Sequence, residues 1–448
     1  MNSKTALSRI LLVAIAGMAL VGCDTIDSLN PFSGSDDPKL QGKRVSVLQL
    51  DQTIQPDTAV SGIPVTAPPE ITNTDWSQAG GSTTHALGNL ALPQQISEAW
   101  HSSIGDGSSS GVKLLVQPIV FNGMIYALDT SATVSARSAA DGDRAWRVTI
   151  SPEDAREETL GGGLSFGGGK LYATAGFPEV MAMDPANGNV LWRYKTNAPT
   201  RGAPTYSNGR LFVLTIENQL VSLDAATGKE QWTHSGVPET EAFLSDAGSA
   251  ADNTIVVAPY SSGEIFALRT ETGRPAWEDN LSAVRRASAL WSLTDFNGLP
   301  IIDGGRVYAV SVSGRLVAID ERTGTRLWQH EIGSSSTPCV AGNFLYMVSA
   351  DDQLIAMTAD KGAIKWVAQL DRYQDMDKRK DPIYWTGPVM AGGRIVMANS
   401  ASQLVEISIK DGTVMRKTEL SGPVFVQPVV ANGTLYLLTD DGDLLAYR

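Results

Sequence analysis

The run FVLTIENQLVSLD, Phe212 to Asp224, places apolar side chains at roughly every second position on either side of a polar Glu217-Asn218 break. Alternation of period two predicts strands with one face inward, and the polar break predicts a turn between them. The run sits inside GAPTYSNGRLFVLTIENQLVSLDAATGKEQWTHS, residues 202–235. Read in order, this stretch is a short strand, an Asn-Gly turn, two strands ending on Asp, a Thr-Gly turn and a strand carrying Trp. A helical stripe would not survive turns so rich in glycine.

The phrase recurs along the chain. Other copies contain FNGMIYALD (121–129), GGKLYATA (168–175) with VMAMDPANGNVLW (180–192), and GGRVYAVSVSGRLVAIDERTGTRLW (304–328). The closing tryptophans are Trp100, Trp146, Trp192, Trp232, Trp277, Trp328 and Trp366, and Met415 takes the corresponding place after KDGTV. Their spacing of about 38 to 51 residues is that of four-stranded propeller blades.

The expected fold is all-β, an eight-bladed β-propeller with Trp-containing repeats. QISEAWHSSI, 95–104, is a lone strand, whereas VFVQPVVANGTLYLLTDDGDLLAYR, 424–448, supplies three strands without a closing one. Joining the N- and C-terminal segments is expected to complete the last blade and remove an open sheet edge. In that frame each Trp fills the wedge between blades, with its N–H seeking a partner. Asp129, Asp184, Asp224 and Asp320 accept backbone hydrogen bonds at turns before glycine-containing hairpins.

The start of the chain does not follow the pattern. Lys4 and Arg9 precede an apolar run that ends on Gly22-Cys23, too short for the roughly 20 residues of a membrane-spanning helix. This predicts a cleaved signal over residues 1–22. Leu20-Val21-Gly22-Cys23 resembles the bacterial lipobox, which implies acylation of Cys23 and a membrane tether. Residues 23–90, rich in Ser, Pro, Thr and Asp, are expected to form the lipid attachment site and a flexible tether, and residues 91–448 the propeller.

Composition then removes several functions. The formal charge of −13 becomes −15 once Lys4 and Arg9 are lost, which disfavours nucleic acid as a partner. Of the two cysteines only Cys339 would remain unmodified, so it is expected to be buried and unreactive rather than redox-active. His85, His101, His234 and His330 show no metal-ligand spacing, the last two being expected at blade ends or in solvent. HExxH and the phosphate-binding GxxxxGK[ST] are both missing.

The Leu-Asp, Thr-Gly and Trp phrases are similar to repeats of the quinoprotein alcohol dehydrogenases, which use pyrroloquinoline quinone and calcium. A vicinal cysteine pair common in that class is missing here, and no calcium ligands can be assigned. A quinone-dependent dehydrogenase-like propeller is therefore the alternative reading; the primary one has no cofactor and no catalytic residue.

Lipobox, polar tether and Trp-closed blades together resemble the BamB family, lipoproteins of the β-barrel assembly machinery. The resemblance implies a non-enzymatic scaffold, lipid-anchored to the outer membrane with its propeller in the periplasm. Asp24 departs from it, since this residue resembles an inner-membrane retention signal. Implied partners are the POTRA domains of BamA, the central barrel component, other lipoproteins of the machinery reached through it, and unfolded outer-membrane proteins.

Two stretches carry the implied partner-binding residues. In NAPTRGAPTYSNG, 197–209, Arg201 matches the family's arginine, while Ala198 and Thr200 stand where relatives place leucines. In SLTDFNGLPIIDGG, 292–305, Asp295 matches an acidic position and Asn297 replaces a second acid; Trp291 precedes them as an aromatic contact. An Arg201 to Asp295 ion pair is one reading of this set, and reversing either charge is expected to weaken partner capture more than folding.

Overall fold

A computed structural model describes residues 54–110, 112–152, 161–238, 248–282, 298–312 and 314–448. Among them the strands form eight sheets of four or more strands and one two-stranded hairpin, Tyr373–Asp375 with Lys380–Pro382. The third blade shows the pattern: Thr205–Ser207, Arg210–Leu214, Gln219–Asp224 and Glu230–Ser235 pair antiparallel in chain order. Its two inner strands read buried at nearly every position, whereas the last alternates because only one face packs on a neighbour.

The expected eight-bladed propeller is corrected to seven blades built on single stretches of chain, joined by one composite sheet. Seven sheets are built on single stretches of chain, and the seventh of these, 385–419, is enlarged to six strands by Glu70–Ile71 and Asn89–Leu90. The remaining four-stranded sheet is composite: Glu98–Ser103 pairs antiparallel with Asp443–Tyr447, beside Thr434–Leu438 and Val429–Ala431. One apolar cluster runs from Val396 through Leu437 to Ile125, so this composite blade packs on both the seventh blade and the first, and the ring is continuous there.

In each of these sheets the fourth strand carries a bulge at the tryptophan position. In the third blade Ser222 faces Trp232 and Leu223 faces Glu230, leaving Gln231 as the extra residue. The same offset corrects one assignment. In the seventh blade Glu406 faces Arg416 and Ile407 faces Val414, so Met415 is the bulged residue and Arg416 occupies the tryptophan register.

The tether assignment is corrected as well. Residues 54–90 are part of the folded body: Trp76 is fully buried, and Val60, Val65, Ala79 and Leu90 are buried. Asp129 also differs from expectation. It caps the turn after a second strand, accepting from the Ser131 and Thr133 N–H groups, whereas Asp184, Asp224 and Asp320 hold the glycine-containing turns.

Candidate functional site

Each blade has two ends. At one, Asn-Gly and Thr-Gly turns join neighbouring strands; at the other, longer connections lead from one blade to the next. Part of the sequence-predicted site lies in the connection between the second and third blades, residues 196–204.

This connection is held from both sides. Thr200 N–H donates to the Phe177 carbonyl at 3.2 Å, and Thr200 bridges to Thr215. Arg201 N–H donates to the Leu214 carbonyl at 2.9 Å, and the Arg201 carbonyl accepts from Gly162 N–H at 3.2 Å. Gly161, at φ +94°, makes that approach feasible, because a Cβ there would stand 2.6 Å from the Arg201 oxygen.

The side chains point inward. Arg201 is 1% exposed, Thr200 0% and Ala198 3%. Burial pushes the Arg201 guanidinium down to about 10, still charged at neutral pH. The expectation that Arg201, Ala198 and Thr200 form the contact surface is therefore corrected for the free chain: they sit beneath it. Reversing the Arg201 charge would place a carboxylate in a desolvated site and disturb folding first. Trp291, Asp295, Asn297 and Cys23 lie outside the described residues, as does the Arg201 to Asp295 pair.

Exposed on this connection is Asn197; Glu217 is exposed at the inner turn of the third blade, and Val237 at the start of the connection from the third blade to the fourth. Val237 is 53% exposed, yet its backbone is fixed: its N–H donates to Glu264 at 2.8 Å, and its carbonyl accepts from the Asn218 amide at 2.7 Å. Buried Asn218 also accepts from Ser261 N–H at 2.9 Å, tying the third blade to the fourth. Sequence reasoning missed Val237 because a single apolar residue in a polar stretch has no periodicity to mark it.

A second exposed group lies on connections across the ring. Tyr384, 59% exposed, packs on Phe425 with ring centroids 6.1 Å apart, and the Lys113 ammonium lies 5.8 Å from the Phe425 ring centre. Such a surface can bind apolar and aromatic side chains.

The titratable groups elsewhere are structural. His234 meets the Tyr260 hydroxyl at 2.8 Å and His330 the Gly362 carbonyl at 2.7 Å, so both bridge blades instead of facing solvent. Burial raises the Cys339 thiol to about 11, which keeps it protonated. Among the described residues no three His, Cys, Asp or Glu side chains converge as a metal site.

A protein-family model described as "Outer membrane protein assembly factor BamB" matches residues 94–368 and 374–448. The chain belongs to this family. BamB from Salmonella typhimurium is 28% identical over 352 residues, 78% of this chain and 87% of its own length. BamB from Burkholderia pseudomallei is 25% identical over 359 residues, covering 79% and 88%. Among solved structures, BamB from Moraxella catarrhalis superposes with a TM-score of 0.66 at 18% identity, over 79% of this chain and all of that one. The quinohemoprotein alcohol dehydrogenase of Comamonas testosteroni reaches 0.63 at 14% identity, covering 84% and 80%. At such identities the superpositions speak for the fold alone, which binding proteins and redox enzymes share. Membership in the BamB family is what separates them. It makes this protein a non-enzymatic scaffold of the outer-membrane assembly machinery and a lipoprotein of that membrane.

Proposed function

We propose that the connection face around residues 196–204 binds POTRA domains of the central barrel component, while an acylated Cys23 holds the propeller on the periplasmic side of the outer membrane. Arg201 serves this surface from below, by fixing the connection; Asn197, Glu217 and Val237 meet the partner. The observation that carries the reading is Val237, a half-exposed apolar side chain on a backbone bonded on both sides. A preordered apolar contact loses little conformational freedom on binding, so more of its burial is realised as affinity.

The test is recovery of the central barrel component with the tagged full-length protein from solubilised membranes. Val237→Asp should reduce recovery at least fivefold with an unchanged unfolding temperature. Cys23→Ala should release the protein from the membrane fraction in the same preparation. Equal recovery by Val237→Asp and wild type would reject this face, and membrane retention of Cys23→Ala would reject the anchor.

A further inference from the structure

The first strands of successive blades lie beside one another and line the axis of the ring. At the end carrying the Asn-Gly turns, one segment follows all but one of them in order through main-chain or amide hydrogen bonds. Asn73 accepts from Asn432 N–H of the composite blade at 2.7 Å. Trp76 then exchanges two bonds with Val120 of the first blade, at 2.7 and 2.8 Å. Ser77 accepts from Phe166 N–H in the second at 2.7 Å, and the Gln78 side chain from Tyr206 N–H in the third at 3.1 Å. Thr83 and Thr84 accept from Ala251 and Ile302 N–H in the fourth and fifth, at 2.7 and 2.9 Å. Leu90 accepts from Gly392 N–H in the seventh at 2.8 Å. The sixth blade is met by Pro68, beside Gly342.

Val120, Phe166, Tyr206, Ala251 and Ile302 hold the same place in five consecutive blades, each paired with Ile125, Leu171, Leu211, Val256 or Val307 next to the turn. A propeller thus presents a circle of equivalent inward N–H groups, and a buried N–H needs an acceptor. Here the chain's own residues supply it. Side-chain contacts fix the course of the segment, since Trp76 Nε1 and Gly80 N–H both bond the Gln117 amide oxygen, at 3.1 and 2.9 Å, and His85 Nδ1 meets the Pro300 carbonyl at 2.6 Å. It precedes residue 94, where the match to the BamB family begins.

We infer that residues 73–91 are an intramolecular belt, a built-in occupant of the axial opening that caps the inner strand edges and closes that end of the ring to any extended peptide. Open strand edges invite pairing with other chains, and the belt removes seven of them at once. Binding by this scaffold is thereby confined to the connection face and the outer strands.

The experiment uses the full chain with Trp76→Ala and Gln78→Ala together, followed by hydrogen exchange. Amides of Phe166, Ala251 and Ile302 should exchange at least tenfold faster than in wild type, while those of Val221 and Val317, in third strands, stay unchanged. A synthetic peptide of residues 73–91 should bind the variant, restore that protection and leave wild type unaffected. Unchanged exchange at the three inner amides would overturn the inference, and so would peptide binding equally to both proteins. Should the double variant fail to fold, Gln78→Ala alone reports through the Tyr206 amide, which must lose protection by the same factor.

Discussion

The junctions between blades are of two kinds, and the contrast shows what a tryptophan repeat does. At six of them a Trp indole N–H donates to a backbone carbonyl of the next blade: Trp146 to Pro185, Trp192 to Ala225, Trp232 to Thr270, Trp277 to Glu321, Trp328 to Ala359 and Trp366 to Ile409, at 2.7 to 3.3 Å. The same ring lies under the glycine of the turn between the third and fourth strands of that next blade. At Gly228, for example, a Cβ would come within 2.6 Å of Trp192, and φ is +72°. Trp and Gly recur together because one is the surface on which the other docks.

The two junctions of the composite blade work differently. Its third and fourth strands come from distant parts of the chain, so no Thr-Gly turn joins them. On the side of the seventh blade, Arg416 stands in the tryptophan register and donates to the Gln94 carbonyl at 3.3 Å. Arg394 donates to the Pro93 carbonyl at 2.7 Å, and Glu406, its side chain 3% exposed, bonds both arginines at 2.8 and 3.1 Å. On the side of the first blade, Trp100 still packs against Gly142, but its indole N–H has no acceptor among the described residues. Arg448 takes the carbonyls of Ala139 and Ala140 instead, at 2.7 and 3.1 Å. Where a continuous turn is missing, long planar cations reach the carbonyls that an indole cannot.

The strongest way to break this contrast is Glu406→Gln. Removing one member of a buried ionic group leaves desolvated charge behind and should cost about 3–5 kcal/mol. Denaturant unfolding measures it, and a loss under about 1 kcal/mol would mean that the arginines hold the seam unaided. Trp146→Phe keeps most of the ring but deletes the N–H bond to Pro185. Its expected cost by the same method is about 0.5–1.5 kcal/mol, the net value of one hydrogen bond.

The Trp277 junction gives a finer test through pH. Glu321, whose carbonyl accepts from Trp277, has its carboxyl raised to about 7 by burial and then by a hydrogen bond to the neighbouring Asp252. A carboxyl raised on folding binds its proton more tightly in the native state, so its contribution to stability falls as pH rises from about 4.5 to 7. Unfolding temperatures at about pH 5 and pH 8 should differ less for Glu321→Gln than for wild type. The smallest effect belongs to Met415, 59% exposed at the bulge. Met415→Gln should change stability by no more than about 0.5 kcal/mol; a larger loss would return Met415 to the tryptophan's role.

The chain on its own determined the local and repeated features. Alternating apolar positions, turn glycines and evenly spaced tryptophans specify strands, their grouping into blades and the packing role of each indole, since all of these arise between residues near in sequence. Cys339, a lone cysteine in an apolar strand, is also legible as a buried one.

Tertiary structure alone decided three matters. A one-residue bulge moves the tryptophan register from Met415 to Arg416, and spacing counts residues without seeing which of them leaves the ladder. Arg201 has the sequence setting of a surface charge because it lies in a polar connection, but glycines in the preceding blade let the backbone close over it. The belt has the composition of a tether because Ser, Thr, Gly and Asn supply no hydrophobic period. Its order comes from main-chain bonds to strands up to several hundred residues away, formed only after the ring has brought those strands to one axis.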